Sequence, residues 1–167
     1  TKIQTLRQSL MSWYSANQRD LPWRKTTDPY HIWVSEVMLQ QTQVNTVLPY
    51  YSRFLECFAS LDHLVRARLQ DVLKVWEGLG YYARARNLHR AAGIVINHHQ
   101  GIIPDSWEEF RKLPGVGDYI AAAVLSIAFE KPYPVVDGNV KRVLARLLLV
   151  EEPVNKSTSI KIFKEAS

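Results

Sequence analysis

The chain has 167 residues, 47% hydrophobic and 22% charged, the make-up of one globular domain or of two small lobes sharing a core, which excludes a disordered tail and a fibrous repeat. No apolar run approaches the roughly 18 to 20 residues that span a bilayer, and no signal-like apolar stretch follows the basic start, so a soluble protein of the cytoplasm or nucleus is expected. A net charge of +5 permits a polyanionic partner without demanding one, and the single cysteine, Cys57, excludes an internal disulfide and any multi-cysteine metal or iron–sulfur site within these residues.

Apolar residues recur at helical spacing almost everywhere and no segment alternates with period two, which predicts an all-α protein. Residues 2–17 form an amphipathic first helix ended by the polar run Asn17-Gln18-Arg19-Asp20. Leu21-Pro22-Trp23-Arg24 is expected to be extended, because Pro restricts the residue before it. Asp28 as N-cap and Pro29 as first helical residue start a second helix that runs to about 41. Thr42 is placed as cap of a third helix to about 58, with Pro49 kinking or splitting it. Short helices follow over about 61–67 and 69–77. Gly78-Leu79-Gly80 breaks the pattern, and a long helix over 81–98 is closed by Gly101. Ser106-Trp107-Glu108-Glu109 is a capping box for a short helix to Leu113. Leu113-Pro114-Gly115-Val116-Gly117 turns the chain into a helix over about 118–129. Lys131-Pro132 and Tyr133-Pro134 enforce an extended stretch before a helix over about 138–150. Residues 156–167 begin another; the chain starts without Met and stops inside that helix, as a piece of a longer protein would. Trp13, Trp33, Trp76 and Trp107 fall at apolar helical positions and are expected in the core, while His98 and His99 lack ligand-spaced partners and are assigned to the surface.

The segment from Leu113 to Gly117 is the most specific local signal. Its glycines permit a hairpin too tight for a Cβ and leave backbone N–H groups open to an anion, for which a DNA phosphate is the natural ligand. A plain helix–helix turn is the competing reading. Glu36 interrupts the apolar run 32–39 on a helix where Ile32, Leu39 and Gln40 share its face. Partial desolvation would raise its pKa and keep a proton available for general acid catalysis; alternatively, Ser35 and Glu36 mark a wet face. Asp137 stands at a helix N-terminus, where dipole and N–H groups favour its anion. Two carboxyl groups driven apart in this way suit cleavage of a glycosidic bond, although a simple N-cap explains Asp137 as well. Tyr81-Tyr82-Ala83-Arg84-Ala85-Arg86 followed by Arg90, and the cluster Lys141, Arg142 and Arg146, combine phosphate-binding cations with flat side chains able to wedge into a base stack. Solvated arginine faces are the bland alternative.

Taken together, Leu21 to Arg24, the run 33–42, the run 76–88, the hairpin with Asp118 and Tyr119, and the run 136–140 resemble the catalytic domain of MutY, the adenine DNA glycosylase family of the helix-hairpin-helix superfamily, over about residues 21–150. The resemblance implies about nine to ten helices in two lobes with the active site between them. It also implies an N-terminal helix (1–20) packing with the terminal lobe, a six-helix lobe (21–130) holding the helix-hairpin-helix (106–129), and the start of the second lobe (131–167). It implies removal of adenine mispaired with 8-oxoguanine or guanine in double-stranded DNA by a monofunctional, monomeric enzyme in the bacterial cytoplasm at the nucleoid or in the eukaryotic nucleus. By that resemblance Glu36 protonates the flipped adenine, Asp137 stabilises the cationic sugar and can bond to it transiently, and Asn139 supports Asp137. Tyr119 stands where lyase-active relatives such as endonuclease III carry a lysine that attacks the sugar.

Trp23, Arg24, Leu39 and Gln40 match residues at the adenine pocket, Gln41 and Tyr81 match wedge residues, and Tyr82, Arg84, Arg86, Gly115, Val116 and Gly117 complete the DNA contacts. No metal ligand is assigned and no cofactor is expected in this chain; the resemblance implies a 4Fe–4S cluster and an 8-oxoguanine-reading domain in full-length members, and allows a monovalent ion at the hairpin carbonyls. Exposed apolar surface is expected where the first and last helices would pack against the cluster region. Two other readings stand beside this one: a relative acting on mismatched thymine or uracil, and a DNA-binding module or helical bundle without catalysis.

Overall fold

The computed structural model describes residues 2–157, 159, 161 and 165. Its helices are α1 (Lys2–Asn17), α2 (Pro29–Leu39), α3 (Val44–Cys57), α4 (Leu61–Arg66), α5 (Leu69–Trp76), α6 (Ala83–His98), α7 (Trp107–Phe110), α8 (Asp118–Phe129) and α9 (Gly138–Leu147), with no strand among the described residues. The all-α architecture is the one the apolar spacing predicts.

Helix α2 is the axis of the molecule. The Asp28 carboxylate accepts from the N–H groups of Tyr30 and His31 at 2.8 and 3.3 Å, and Pro29 occupies the first turn, where its missing donor costs nothing. From there Tyr30 and every residue from Ile32 to Met38 are buried, so the helix lacks the solvated face of a surface helix, and its one open side borders a cavity. It packs against α3, α6, α8 and the turn at Pro22–Arg24, while α4 and α5 close on α6, and α7 on α8. Trp33 meets Phe110 edge-on with ring centroids 5.2 Å apart, and Phe54 meets Trp76 at 5.8 Å. The small side chains Ala121, Ala122 and Ala123 of α8 let its axis lie close to α2.

Several local expectations are corrected. Only Leu21 is extended (φ −123°, ψ 137°); Pro22–Arg24 closes into a single 3-10 turn, with the N–H of Lys25 donating to the Pro22 carbonyl at 3.1 Å, because Pro restrains its predecessor and not its successors. Gln43, not Thr42, precedes α3, and the Thr42 hydroxyl donates instead to the Gln40 carbonyl. Pro49 neither ends nor splits α3, whose buried face of Val47, Tyr51 and Phe54 outweighs one lost backbone bond. Helices α2 and α6 each fall two residues short of the expected 41 and 81, since Gln41 (φ 56°) and Tyr81 (φ 48°) are left-handed. Helix α9 ends at Leu147, with Leu149 also left-handed (φ 51°).

Trp33 and Trp76 are buried as expected, but Trp13 is 61% exposed and shares a face of α1 with the exposed Leu6 and Leu10 by three- and four-residue spacing; apolar spacing marks that face without showing what covers it. The expected helix over 156–167 falls largely outside the described residues.

Candidate active site

A cavity of about 650 Å³ opens between the C-terminal end of α1, the Pro22–Arg24 turn, α2, the start of α3, α8 and the residues leading into α9. Glu36, Tyr119, Asp137 and Asn139 line it together with Trp23, Arg24 and Leu39, so residues spread over more than a hundred positions of sequence converge on one space.

Glu36 is only 7% exposed. Burial in the apolar surroundings of α2 is the chief cause of a pKa raised above the usual carboxylate value; the nearby Asp137 charge pushes the same way, and a hydrogen bond from the Tyr119 hydroxyl opposes them. Its Oε2 is buried with no hydrogen-bond partner. An ionised carboxylate with an unpartnered oxygen in such a place is costly, so Glu36 holds its proton to higher pH than an exposed carboxyl does. Burial, together with Glu36, likewise drives the Tyr119 hydroxyl to hold its proton well above the usual phenol range, which keeps it a donor.

Asp137 is fixed by its own helix start. One carboxylate oxygen accepts from the N–H of Val140 at 2.7 Å, capping α9, and the other accepts from the Asn139 side-chain amide at 3.2 Å. The Asn139 amide oxygen in turn accepts from the Arg142 guanidinium at 2.9 Å. The cap and the cavity position are thus two uses of one residue. The arrangement offers a proton held on one carboxyl and an anchored carboxylate opposite it, the pairing that glycoside cleavage requires.

Trp23 is buried and sits edge-on to Tyr51, with centroids 5.2 Å apart. Arg24 reaches over the ring of Tyr14 at 5.4 Å and donates to the Arg19 carbonyl at 3.2 Å. Gln40 is the exception among the pocket residues: it lines a separate small cavity with Trp33, Asn87, Pro114 and Gly115, because the chain leaves the helical path after Leu39. Tyr14, Gln18 and Arg19 of the α1 end line the main cavity as well, a contribution that the sequence, with its first helix assigned to another lobe, does not lead one to expect. No local pattern signals so distant a contact. The i, i+3 spacing of Asn139 and Arg142 is the one signal that points to their bond.

Of the expected DNA contacts, Gln41, Tyr81, Tyr82 and Arg86 are exposed, Tyr81 at 62%. Arg84 departs from the solvated cation suggested by its run of arginines: it is 9% exposed and its guanidinium is turned inward onto backbone carbonyls. In the hairpin Gly115 is left-handed (φ 77°), Val116 is buried, and Gly117 precedes α8 without a side-chain cap. The Val116 N–H donates to the Leu113 carbonyl at 3.1 Å, so it is not open to an anion, and the Val116 carbonyl accepts from Arg111 at 2.9 Å. A Cβ at Gly115 would stand 2.8 Å from the Cβ of Asn87, on top of its unfavourable φ. Gly115→Ala is expected to cost about 1–3 kcal/mol in a urea melt and to weaken affinity for any duplex irrespective of sequence in a salt-controlled titration.

The residues present do not fit a 4Fe–4S cluster. Such a cluster takes four thiolates, the chain holds one cysteine, and no group of three His, Cys, Asp or Glu able to hold a metal occurs among the described residues.

This fold is that of a recognisable class. The model of a family described as HhH-GPD superfamily base excision DNA repair protein matches residues 34–166. The chain belongs to that superfamily. An adenine DNA glycosylase of Buchnera aphidicola subsp. Baizongia pistaciae is 46% identical over 140 residues, covering 83% of this chain and 40% of that protein. One of Rattus norvegicus is 46% identical over 154 residues, covering 87% and 30%. The chain therefore spans well under half the length of these relatives. Among solved structures, a thermostable thymine-DNA glycosylase superposes with a TM-score of 0.88 at 27% identity, covering 99% of this chain and 78% of that one. An endonuclease III–DNA complex superposes at 0.79 with 24% identity, covering 98% and 75%, and bears on the fold alone.

Proposed function

We propose that the chain is the catalytic part of a monofunctional adenine DNA glycosylase, acting on adenine mispaired with 8-oxoguanine or guanine in double-stranded DNA. The observation that carries it is the buried Glu36 acid facing Asp137 across one cavity, in a chain 46% identical to proteins named adenine DNA glycosylase.

A base inside a duplex cannot be reached, so the adenine is rotated out, at a cost of a few kcal/mol that wedge residues and phosphate contacts offset. Gln41 and Tyr81 act as the wedge; Gly115, Gly117 and Arg86 face the backbone. Adenine is a poor leaving group until protonated. Glu36 gives it a proton as the bond from sugar to base breaks, Asp137 holds its negative charge beside the developing oxocarbenium ion, Asn139 keeps Asp137 in place, and water completes the hydrolysis. Tyr119 provides a hydroxyl and no amine, so no Schiff base forms and the strand is not cut. A monovalent ion at the hairpin would have to bind beside the Val116 carbonyl, which already accepts Arg111. The enzyme works as a monomer wherever the cell keeps its DNA, in nucleoid or nucleus.

The structural likeness to a thymine-DNA glycosylase gives the second reading its weight. Duplexes identical except for the mispair separate the two: adenine is expected as the released base from A:8-oxoguanine and A:G, identified by chromatography, with no covalent complex trapped by borohydride. Release of thymine from T:G without release of adenine would reverse the choice.

A further inference from the structure

On the glycosylase reading above, we propose that Arg84 is a positioning residue for base flipping, whose buried guanidinium ties the Gln41 and Tyr81 segments together so that the two wedge side chains stand on one rigid crest.

The two segments lie some forty residues apart in sequence, and the Arg84 guanidinium bonds to both. One terminal nitrogen of Arg84, with two N–H groups, donates to the carbonyls of Met38 (2.7 Å) and Gln40 (2.6 Å), and the Val37 carbonyl and Thr42 hydroxyl lie beside it at 3.2 Å each. The other donates to the carbonyls of Leu79 (3.3 Å) and Gly80 (3.1 Å). The guanidinium lies 5.6 Å from the Trp76 ring centre and 5.4 Å from that of Tyr81. Gln40 and Gly80 immediately precede Gln41 and Tyr81, the two residues of these segments with left-handed backbone other than glycine. A carbonyl belongs to the same peptide plane as the next residue's N–H, so holding it restrains the rotation that sets that residue's φ. Arg84, joined at the Gly80 carbonyl by the Trp76 indole N–H (3.1 Å), therefore restrains the peptide planes that lead into the left-handed backbone of both wedge positions.

Its own situation is costly. No carboxylate pairs with it among the described residues, and its Nε is buried without a partner. Merely ending α2 would call for a glycine or a solvated lysine near the last carbonyls, not a buried cation. What the cation adds is a link between two turns, at positions where the exposed side chains must enter a base stack without loss of ordering entropy on arrival.

The test uses 2-aminopurine in place of the target adenine opposite 8-oxoguanine, its fluorescence reporting extrusion from the stack at saturating protein. Arg84→Lys keeps the charge, but one ammonium cannot serve both carbonyl sets; Arg84→Met removes the link. The fluorescence rise is expected to fall about tenfold or more in Arg84→Met and partially in Arg84→Lys, while the pH midpoint of the remaining adenine release, set by Glu36, stays where it is in the wild type. Helix content and melting are measured alongside, and Arg84→Lys decides the matter if Arg84→Met does not melt cooperatively. A folded Arg84→Lys that extrudes the probe as fully as the wild type overturns the proposal, as does a loss in step with helix content or a shift in the pH midpoint. A wild-type chain that neither extrudes the probe nor releases adenine defeats the glycosylase reading and this proposal with it; equal extrusion by wild type and variants defeats this proposal alone.

Discussion

Glu36→Gln is expected to slow single-turnover release of adenine from an A:8-oxoguanine duplex by about two to four orders of magnitude, with duplex affinity nearly unchanged. The substitution preserves size and shape and removes only the ionisable proton. Glu36 is buried at the wall of the cavity, its proton held by that burial and by the Asp137 charge against the pull of Tyr119, so what is lost is the acid and not a contact with DNA. Stability should move the other way. The folded-state pKa lies above the ordinary 4.5, so the folded chain binds this proton more tightly than the unfolded one. The stability linked to it is complete below the ordinary value and is lost as pH rises through the raised one. Gln cannot ionise, and the melting temperature of Glu36→Gln relative to wild type is therefore expected to increase with pH. Unchanged turnover in a folded Glu36→Gln would remove Glu36 from the chemistry.

Asp137→Asn is expected to produce a loss of comparable size, on the order of a hundredfold to a thousandfold, with little change in stability. Asparagine is as good an N-cap as aspartate, so the bond from the Val140 N–H to Asp137 has a replacement while the charge has none. Asp137→Ala removes the cap as well and should cost about 1 kcal/mol more in a urea melt. The pair of variants separates the two roles. If Asp137→Asn retained full base release and only Asp137→Ala lost it, capping would be the whole role of Asp137.

Features written in local chemistry are legible in the sequence itself. Asp28 with Pro29, Ser106 of the capping box, the hairpin glycines and Asp137 before α9 announce themselves by residue type and spacing, and each stands where those signals place it. Glu36 is legible only as one of two alternatives, because a lone carboxylate in an apolar run fits a wet face as well as a buried acid; the enclosure of α2 by α3, α6 and α8 removes the first option. Arg84 cannot be told from Arg86 by neighbours alone. One turns inward because the carbonyls at the end of α2 and of the glycine turn lie beneath it, a long-range fact. The left-handed backbone of Gln41 and Tyr81 is likewise invisible in residue types that seldom adopt it, and the wall that Tyr14, Gln18 and Arg19 lend to the cavity depends on where the first helix folds back.

The sharpest check on the role of the buried acid is the single-turnover rate of adenine release from an A:8-oxoguanine duplex between about pH 5 and about pH 9. A protonated Glu36 predicts a rate sustained above the ordinary carboxylate range and then falling as pH rises through its elevated pKa. A rate that climbs with pH over the same range, as a base and not an acid in that position would give, contradicts it.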